Sequence, residues 1–259
     1  MALQGLEQHG EKMDEVYRWT RHVYDWTRPF FLFGRDALVD GLAPPLGGSV
    51  CELGCGTAHN LIRLARRRPD LRIIGVDASS AMLEVAQQKI VRAGLQDQVV
   101  LVHGYAESFA PSEAVDAVLF PYSLSMMPEP ELAIQNASGW LRDGGAIHVV
   151  DFGDLQGWPG VARKRLLGFL NRFEVYPRPE LFESLPDSMQ MDSHRKFGGY
   201  SVSAMIRYSG SISAAVSGMN ATTQEVKRSA RMGIQLQSCP ESVDLPSDSD
   251  LVEPLRQIR

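Results

Sequence analysis

The chain has 259 residues, 44% of them hydrophobic, so it is long enough to bury one substantial core and to form one main domain with an appendage. Its formal net charge of -5 provides no general attraction for phosphate backbones, which argues against nucleic acid as a partner. Its three cysteines, Cys51, Cys55 and Cys239, lack the spacing of a disulfide framework or a zinc site, so we expect a reducing, cytoplasmic environment and no metal.

The first distinctive segment is "VYRWTRHVYDWTRPFFLFGRD", residues 16–36, which concentrates aromatic rings and arginines. Helical spacing puts Arg18, Arg21 and Arg28 on one side and apolar side chains over most of the rest, and Pro29 then interrupts the helix. Such short helices can cover a bound ligand as a lid or lie in a membrane interface. The sequence predicts neither a signal peptide nor a membrane span.

From Ser49 onward, strand-like and helix-like runs alternate. Strands are predicted at "SVCEL", "LRIIGVD", "VVLVHG", "AVDAVLFPYS" and "AIHVVDFGD", and helices at "HNLIRLARRRP", "SSAMLEVAQQKIVRAG" and "PELAIQNASGWL", with a turn at "RDGG". This order predicts right-handed βαβ units. Further on, "VARKRLLGFLNRF" predicts another helix, and "MQMDSHRKFGGYSVSAMIRYS" predicts an antiparallel hairpin that turns at Gly198 and Gly199.

We therefore expect an α/β fold, a doubly wound, mainly parallel, Rossmann-like sheet of about seven strands with an antiparallel last hairpin and an N-terminal helical lid. Residues 1–48 are predicted to form the lid or a membrane-facing segment, and residues 49–210 the α/β domain. Residues 211–259 are rich in serine and small polar side chains, and we expect this tail to be mobile.

The stretch "CELGCGTAHN" lies where the first strand leads into the first helix, at the edge where open α/β sheets bind ligands. A dinucleotide-binding G-x-G-x-x-G motif counted from Gly54 fails, because position 59 is histidine. Glu52 would attract a positively charged group and repel a pyrophosphate. Asp77, at the end of the second strand, can accept both hydroxyls of a ribose. A ligand with a ribose and a cationic amino-acid end is S-adenosylmethionine.

The run Glu52-Leu53-Gly54-Cys55-Gly56-Thr57, followed by Asp77, resembles the first two motifs of class I methyltransferases. The resemblance covers residues 50–151, including "VDAVLF" and "LRDGG". It implies that the backbone at Gly54 and Gly56 contacts the methionine part of the cofactor, that Glu52 supports its ammonium and that Asp77 holds its ribose. The cofactor-binding residues implied by position are Glu52, Gly54, Gly56, Asp77, Ala78, Ala106, Glu107 and Phe120.

One position departs from that family pattern. The family commonly places an Asp-Ala pair after the third strand to receive the adenine, and here Tyr105 stands where the aspartate would be. Ala106 still offers its backbone N–H, and Glu107 or Ser108 replaces the lost acceptor. The departure puts the affinity for the cofactor, and the identity of the substrate, in question.

The loop "FPYSLSMMP" follows the fourth strand, beside the place where the transferred methyl group would project. Methyl transfer is an in-line displacement, so it needs a positioned nucleophile with a free lone pair more than it needs acid–base groups. Tyr122 and Ser123 are therefore the predicted catalytic residues, which align the acceptor. The alternative is that the loop only packs against the core, and no general base is identified.

A closer resemblance rests on "YRWTRHVYDWTRPFFLFGRDAL", "PYSLSMMP", "VVDFGDLQGWP" and "RFEVYPRPEL". Over residues 17–208 these segments together resemble the bacterial N-methyltransferase of betaine-lipid synthesis. That family converts diacylglyceryl-homoserine into diacylglyceryl-trimethylhomoserine by three methylations of one amine. The resemblance implies a lipid-borne amine substrate and a cytoplasmic enzyme that is peripheral on the inner face of the membrane.

The homoserine headgroup has two features that side chains can recognise. An arginine can hold its carboxylate in a bidentate manner, and the quaternary nitrogen formed by methylation can lie against aromatic rings. The candidate substrate-binding residues are Arg21, Arg28 and Arg35 for the carboxylate and Tyr17, Tyr24 and Tyr122 for the cation. Alternatively, these rings only bury the N-terminal helices against the sheet.

Two other functions remain open from the sequence. A methyltransferase of a soluble amine or another small molecule would use the same cofactor residues without an interfacial helix. A non-catalytic binding module that retains the fold is suggested by Tyr105 and by the unfamiliar tail. The basic helix "VARKRLLGFLNRF" either has a solvated face or makes a second contact with anionic lipid headgroups. The sequence does not predict an oligomeric state.

Overall fold

The computed structural model describes residues 32–182 and 189–208. The helices are α1 (Arg35–Asp40), α2 (His59–Arg67), α3 (Ser80–Ala93), α4 (Pro130–Ser138) and α5 (Gly160–Leu170), and the strands are β1 (Ser49–Leu53), β2 (Arg72–Asp77), β3 (Val99–His103), β4 (Val115–Pro121), β5 (Leu141–Phe152), β6 (Met189–Lys196) and β7 (Ser201–Tyr208). Short 3-10 helices lie at Leu124–Met126, Asn171–Phe173 and Pro179–Phe182. Most of the predicted lid and the whole predicted tail lie outside the described residues.

The strands form one sheet in the order β3-β2-β1-β4-β5-β7-β6. The pairs from β3 to β5 are parallel, whereas β7 runs antiparallel to both β5 and β6. The predicted fold class is therefore confirmed, including the antiparallel last hairpin. The strand order reverses between β1 and β4, which is the place where an open α/β sheet leaves a crevice for ligands at the carboxyl ends of its strands.

Both faces of the sheet are covered, which explains why the central strands are apolar on both sides. Helices α1, α2 and α3 pack against one face through residues such as Val39, Leu61 and Ile90. Helix α4 packs against the other face through Ala133 and Ile134. Burying one such aliphatic side chain contributes about 1.5–3 kcal/mol to folding, so the two layers hold the strand ends in fixed positions.

The residues at the two ends of α3 and at the turn of the last hairpin have the geometry that the sequence predicts. Ser79 caps α3 by accepting a hydrogen bond from the backbone N–H of Met82, and Gly94 ends the helix with a φ of 68°. The hairpin turns through Phe197, Gly198 and Gly199, all with positive φ. Two glycines at such a turn relieve the steric cost of this conformation.

The predicted turn at "RDGG" is wrong. These residues belong to β5, which begins at Leu141, and the preceding helix α4 already ends at Ser138. Val115 pairs with Leu141 and Ala117 with Ala146, so β5 bulges outward between the two pairs. Gly144, with a φ of 80°, permits the bulge, and the buried side chain of Leu141 keeps the start of the strand in the sheet.

Two properties of the described residues bear on the kinds of site to consider. Within residues 32–182 and 189–208, no helix is both long and apolar enough to cross a membrane. The same ranges contain no group of three or more potential metal-ligating His, Cys, Asp or Glu side chains. Cys51 and Cys55 are buried free thiols that pack in the core.

Candidate functional site

The glycine turn between β1 and α2 approaches the loop after β4 very closely. Gly54 has a φ of 78°, and a Cβ built on it would lie 2.6 Å from the Cβ of Ser123. Gly56 also has a positive φ, of 54°. Only glycine fits at position 54, because any side chain would be strained by the backbone and would collide with Ser123. This absence of a side chain leaves bare backbone at the carboxyl end of β1.

Asp77 joins the end of β2 to this turn. Its Oδ2 accepts a hydrogen bond from the backbone N–H of Gly56 at 2.6 Å, and its Oδ1 accepts one from the N–H of Ser79 at 2.9 Å. The structure thus brings Asp77 and Gly56 together, as adjacent parallel strands require. A carboxylate oxygen can accept more than one hydrogen bond, so Asp77 remains a candidate to bind ribose hydroxyls.

Glu52 lies on β1 and is buried, with 1% of its surface exposed. Its Oε1 accepts a hydrogen bond of 2.8 Å from the amide Nδ2 of Asn60 on α2. Burial and the charge of Glu52 raise the pKa of the Cys51 thiol to about 12, so this thiol stays protonated. A buried carboxylate beside the glycine turn suits a ligand ammonium, because an opposite charge compensates the lost hydration.

Asn60 was not identified from the sequence. It is buried in the first turn of α2 and orients Glu52. The available signal was a polar side chain on the inner face of an otherwise amphipathic helix, since buried polar groups in such positions usually have a specific hydrogen-bonding partner.

The segment after β3 provides the candidate adenine site. The carbonyls of Ala106 and Phe109 both accept hydrogen bonds from Nδ2 of Asn136, at 2.9 and 2.8 Å, which fixes this segment against α4. Glu107 is buried, and its Oε1 has no hydrogen-bond partner within the described ranges. Burial raises the pKa of Glu107. Ser108 is exposed, so Glu107 is the better candidate for the side-chain acceptor that is lost because Tyr105 stands in place of the family's aspartate.

Two other predicted cofactor residues have restricted access. The side chain of Phe120 is fully buried in the core beneath α4, so a cofactor contact by this residue is confined to its backbone. Ala78 follows β2, and its carbonyl oxygen lies 3.0 Å from Nε2 of His103. Because both side chains are apolar, Phe120 and Ala78 can offer a cofactor only the polar groups of their backbone.

The two predicted catalytic residues differ in their surroundings. The hydroxyl of Tyr122 donates a hydrogen bond of 2.6 Å to the carbonyl of Phe33, and burial raises the pKa of Tyr122 well above its usual range. The ring of Phe152 packs edge-on against it at 4.7 Å. Ser123 is buried beside Gly54, and its Oγ has no hydrogen-bond partner in the part of the chain that the structure describes. The Ser123 hydroxyl is therefore a candidate to bind a ligand, whereas the Tyr122 hydroxyl already has a partner.

Asp151, at the carboxyl end of β5, was missed by the sequence reasoning. It is 3% exposed, its Oδ2 accepts the backbone N–H of Ser125 at 3.0 Å, and its Oδ1 accepts the N–H of Phe152 at 2.7 Å. Burial raises the pKa of Asp151 to about 6. The signal was an acidic residue ending the apolar run "AIHVV", at the same sheet edge as Glu52 and Asp77.

Arg35 is the predicted substrate-binding arginine that falls within the described residues. It is 4% exposed, with its Nε 3.6 Å from Oδ1 of Asp36. Arg35 lies two residues after Phe33, whose carbonyl accepts the hydrogen bond of the Tyr122 hydroxyl. Asp151 follows Val150, whose carbonyl accepts the backbone N–H of Tyr122 at 2.6 Å. The other predicted substrate residues, Tyr17, Arg21, Tyr24 and Arg28, lie outside the described residues.

Curated proteins similar to this chain include two informative relatives. A phosphatidylethanolamine N-methyltransferase of Cereibacter sphaeroides is 30% identical over 155 residues, which cover 55% of this chain and 75% of that protein. A carboxy-S-adenosyl-L-methionine synthase of Campylobacter jejuni is 51% identical over 51 residues, or 20% of this chain. The match spans only 22% of the length of that synthase.

Solved structures show the same fold at low sequence identity. An O-methyltransferase family protein from Burkholderia thailandensis has a TM-score of 0.56 at 21% identity, covering 72% of this chain and 57% of that one. The plantazolicin methyltransferase BpumL, in complex with a monoazolic desmethylPZN analog and SAH, has a TM-score of 0.58 at 12% identity, covering 80% of this chain and 99% of that one.

The side chains at this sheet edge fit S-adenosylmethionine. The bare backbone at Gly54 and the buried Glu52 suit its amino-acid part. The Asp77 carboxylate suits its ribose, and the unpartnered Oε1 of Glu107 suits its adenine. A family described as a methyltransferase domain matches residues 50–145. The chain belongs to the class I S-adenosylmethionine-dependent methyltransferases.

Proposed function

We propose that the protein is an N-methyltransferase that converts diacylglyceryl-homoserine into diacylglyceryl-trimethylhomoserine. The proposal is supported by two buried, oppositely charged side chains, Arg35 and Asp151, close in sequence to the residues that Tyr122 contacts. The Tyr122 hydroxyl donates to the carbonyl of Phe33, and its backbone N–H donates to that of Val150. A homoserine headgroup carries a carboxylate and an amine, so its charges are complementary to those of Arg35 and Asp151.

The two charges have separate roles in the proposal. Arg35 binds the headgroup carboxylate, since a guanidinium holds a carboxylate through two parallel hydrogen bonds. Asp151 binds the amine and holds its nitrogen in one place, while its hydrogen bonds to Ser125 and Phe152 fix the carboxylate. When bound, S-adenosylmethionine supplies a methyl group on a sulfonium. The amine must be deprotonated to attack, so activity rises with pH through the titration range of the amine.

A cluster of aromatic rings at the carboxyl end of β5 suits the product. Phe152 lies 4.7 Å from Tyr122 and 5.8 Å from Tyr200. A nitrogen with three added methyl groups no longer donates hydrogen bonds, so its attraction to Asp151 weakens while its contact with ring faces remains favourable. In this proposal the rings accommodate the growing cation. The predicted partners Tyr17 and Tyr24 would add to them, as would Arg21 and Arg28 to Arg35.

A second acceptor is favoured by one specific observation. The relative from Cereibacter sphaeroides that is 30% identical carries the name phosphatidylethanolamine N-methyltransferase. Phosphatidylethanolamine presents an amine and a phosphate, and arginine binds phosphate as well as carboxylate. The same site would then methylate phosphatidylethanolamine, and the acceptor would remain a lipid amine at the membrane surface.

Lipid analysis in cells distinguishes these acceptors. We expect coexpression with a homoserine-lipid synthase to yield homoserine lipids that are heavier by one, two and three methyl groups. Cells that express an Asp77→Ala variant provide the matched control. Methylated phosphatidylethanolamine without methylated homoserine lipid would favour the second acceptor. No methylated lipid of either kind would overturn both and favour a soluble amine or a non-catalytic module.

A further inference from the structure

Helix α5 carries a concentrated positive charge on a chain that is negative overall. Arg163, Lys164 and Arg165 lie on the helix, and Arg172 follows in the 3-10 turn Asn171–Phe173. No aspartate or glutamate occurs from residue 155 to residue 173, while the whole chain has a net charge of -5. All four cations are exposed. Within residues 32–182 and 189–208, none of them forms a salt bridge.

The basic helix α2 shows what the chain does elsewhere with such a pattern. Arg63 forms a hydrogen-bonded ion pair with Asp40 at 2.6 Å, and Arg67 also pairs with Asp40. Arg68, which directly follows α2, pairs with Asp70 at 2.7 Å. At α2 the cations Arg63 and Arg67 are therefore compensated by acidic residues of the same chain, whereas the four cations of α5 and the turn after it have no such pairing within the described residues.

Exposed apolar side chains lie among the cations of α5. Val161 is 68% exposed and Phe169 is 42% exposed. Val161, Arg165 and Phe169 follow each other at four-residue spacing, so they share one side of the helix, with Lys164 beside them and Arg172 one turn further on. Apolar side chains interspersed with cations on one helix face are typical of helices that lie in a membrane interface.

The opposite side of α5 reaches the candidate acceptor site. Leu166, Leu167 and Leu170 pack in the cluster that contains Tyr122 and Phe152. After the helix, the backbone N–H of Tyr176 donates a hydrogen bond of 2.8 Å to the carbonyl of Ser125. A surface bound to the outer side of α5 would therefore lie about one helix diameter, roughly 10 Å, from the acceptor end of the sheet.

We propose that the outer face of α5, formed by Val161, Lys164, Arg165, Phe169 and Arg172, docks on a membrane surface that presents anionic lipid headgroups. Its cations attract the headgroups, and Val161 and Phe169 enter the boundary with the acyl chains. Glu174 is an acidic residue that follows this face in the sequence, and its carboxylate accepts a hydrogen bond from the hydroxyl of Tyr176. The inference extends the proposed function, because docking here would bring a lipid-borne acceptor to the site.

Vesicle co-sedimentation of the full chain tests this inference without cofactor or acceptor lipid, so its outcome is separate from that of the proposed function. We compare vesicles of phosphatidylcholine alone with vesicles in which about one third is phosphatidylglycerol. The Lys164→Glu/Arg165→Glu variant should bind anionic vesicles at least about tenfold more weakly than the parent. The matched control is Arg66→Glu/Arg92→Glu, which changes the net charge equally at exposed positions of α2 and α3.

The expected pattern is binding of parent and control to anionic vesicles and weak binding of the α5 variant, with the circular dichroism of all three unchanged. Equal loss in both variants would overturn the inference, because bulk charge would then explain the binding. Undiminished binding of the α5 variant, or no binding of the parent to anionic vesicles, would also overturn it. So would binding of the parent to a duplex RNA but not to vesicles.

Discussion

Gly54 and Ser123 are in such close contact that no side chain fits between them: a Cβ on Gly54 would lie 2.6 Å from the Cβ of Ser123. The contact joins the turn after β1 to the loop after β4, on the two sides of the point where the strand order reverses. The candidate cofactor and acceptor residues therefore meet at a backbone position that tolerates only glycine.

We expect Gly54→Ala to reduce S-adenosylmethionine affinity at least about tenfold, because the new methyl group displaces Ser123 or the turn. Calorimetric titration measures the affinity. Gly94→Ala is the matched control, since Gly94 has a φ of 68° but no atom within 4 Å of the added Cβ. The control should lose only about 1 kcal/mol of stability. Equal affinity in both variants would show that the close contact is irrelevant to the cofactor.

Asp77→Ala removes the acceptor of the Gly56 and Ser79 N–H groups as well as the predicted ribose acceptor. We expect affinity for S-adenosylmethionine to fall by about tenfold to a hundredfold, as hydrogen bonds to charged groups contribute about 1.5–3 kcal/mol each. Asp97→Ala, at an exposed position beyond α3, should bind like the parent. Parental affinity in Asp77→Ala would refute the role of this carboxylate.

Ser123→Ala should reduce methyl transfer while leaving the unfolding free energy unchanged or slightly higher. The Oγ of Ser123 is buried without a partner in the described part of the chain, so its removal relieves a cost of about 1 kcal/mol. Ser79→Ala, which removes the α3 cap, should lose about 1 kcal/mol instead. Urea unfolding and initial rates measure both effects. Full activity in Ser123→Ala would leave this hydroxyl without a role in aligning the acceptor.

Asp151 predicts a dependence of stability on pH. Its pKa in the folded protein is raised to about 6, so the group favours folding most at low pH and opposes it increasingly as the pH rises through 6. We expect the unfolding free energy of Asp151→Asn, relative to the parent, to rise between about pH 4 and pH 7 by an amount on the order of 2 kcal/mol. Urea titrations across this range measure it. A difference that does not change with pH would contradict the burial of this charge.

Arg35→Gln should raise the KM for an acceptor that carries a carboxylate or phosphate by about tenfold or more, because a charged hydrogen bond is lost. Affinity for S-adenosylmethionine should stay unchanged. Arg142→Gln is the control, since Arg142 pairs with Asp116 at 2.8 Å and lies at the start of β5, away from the site. An unchanged KM in a folded Arg35→Gln variant, or an equal rise in the control, would exclude Arg35 from headgroup binding.

The sequence predicted the sheet and the cofactor edge because both depend on local patterns. Alternating apolar runs and helix caps place Glu52, Gly54 and Asp77 at carboxyl strand ends, and parallel pairing then brings them together. The "RDGG" prediction failed because paired glycines signal a turn and a strand bulge alike. The burial of Leu141, which decides between them, depends on distant parts of the chain.

Asp151 and Asn60 escaped prediction for a related reason. An acidic residue at the end of a strand is usually solvated, and its burial here follows from packing of the loop that contains Ser125 and of the segment after α5. Asn60 acquires meaning only from its hydrogen bond to Glu52, eight residues away across a turn. Sequence periodicity reports which face of an element is apolar, not which polar groups meet across two elements.

The proposed acceptor can be identified by mass spectrometry of lipids after incubation of the purified protein with S-adenosylmethionine and vesicles that contain both diacylglyceryl-homoserine and phosphatidylethanolamine. We expect successive gains of one, two and three methyl groups on the homoserine lipid, faster than any gain on phosphatidylethanolamine, and no gain on either lipid with Asp77→Ala. An unmethylated homoserine lipid under conditions in which the protein binds S-adenosylmethionine would contradict this expectation.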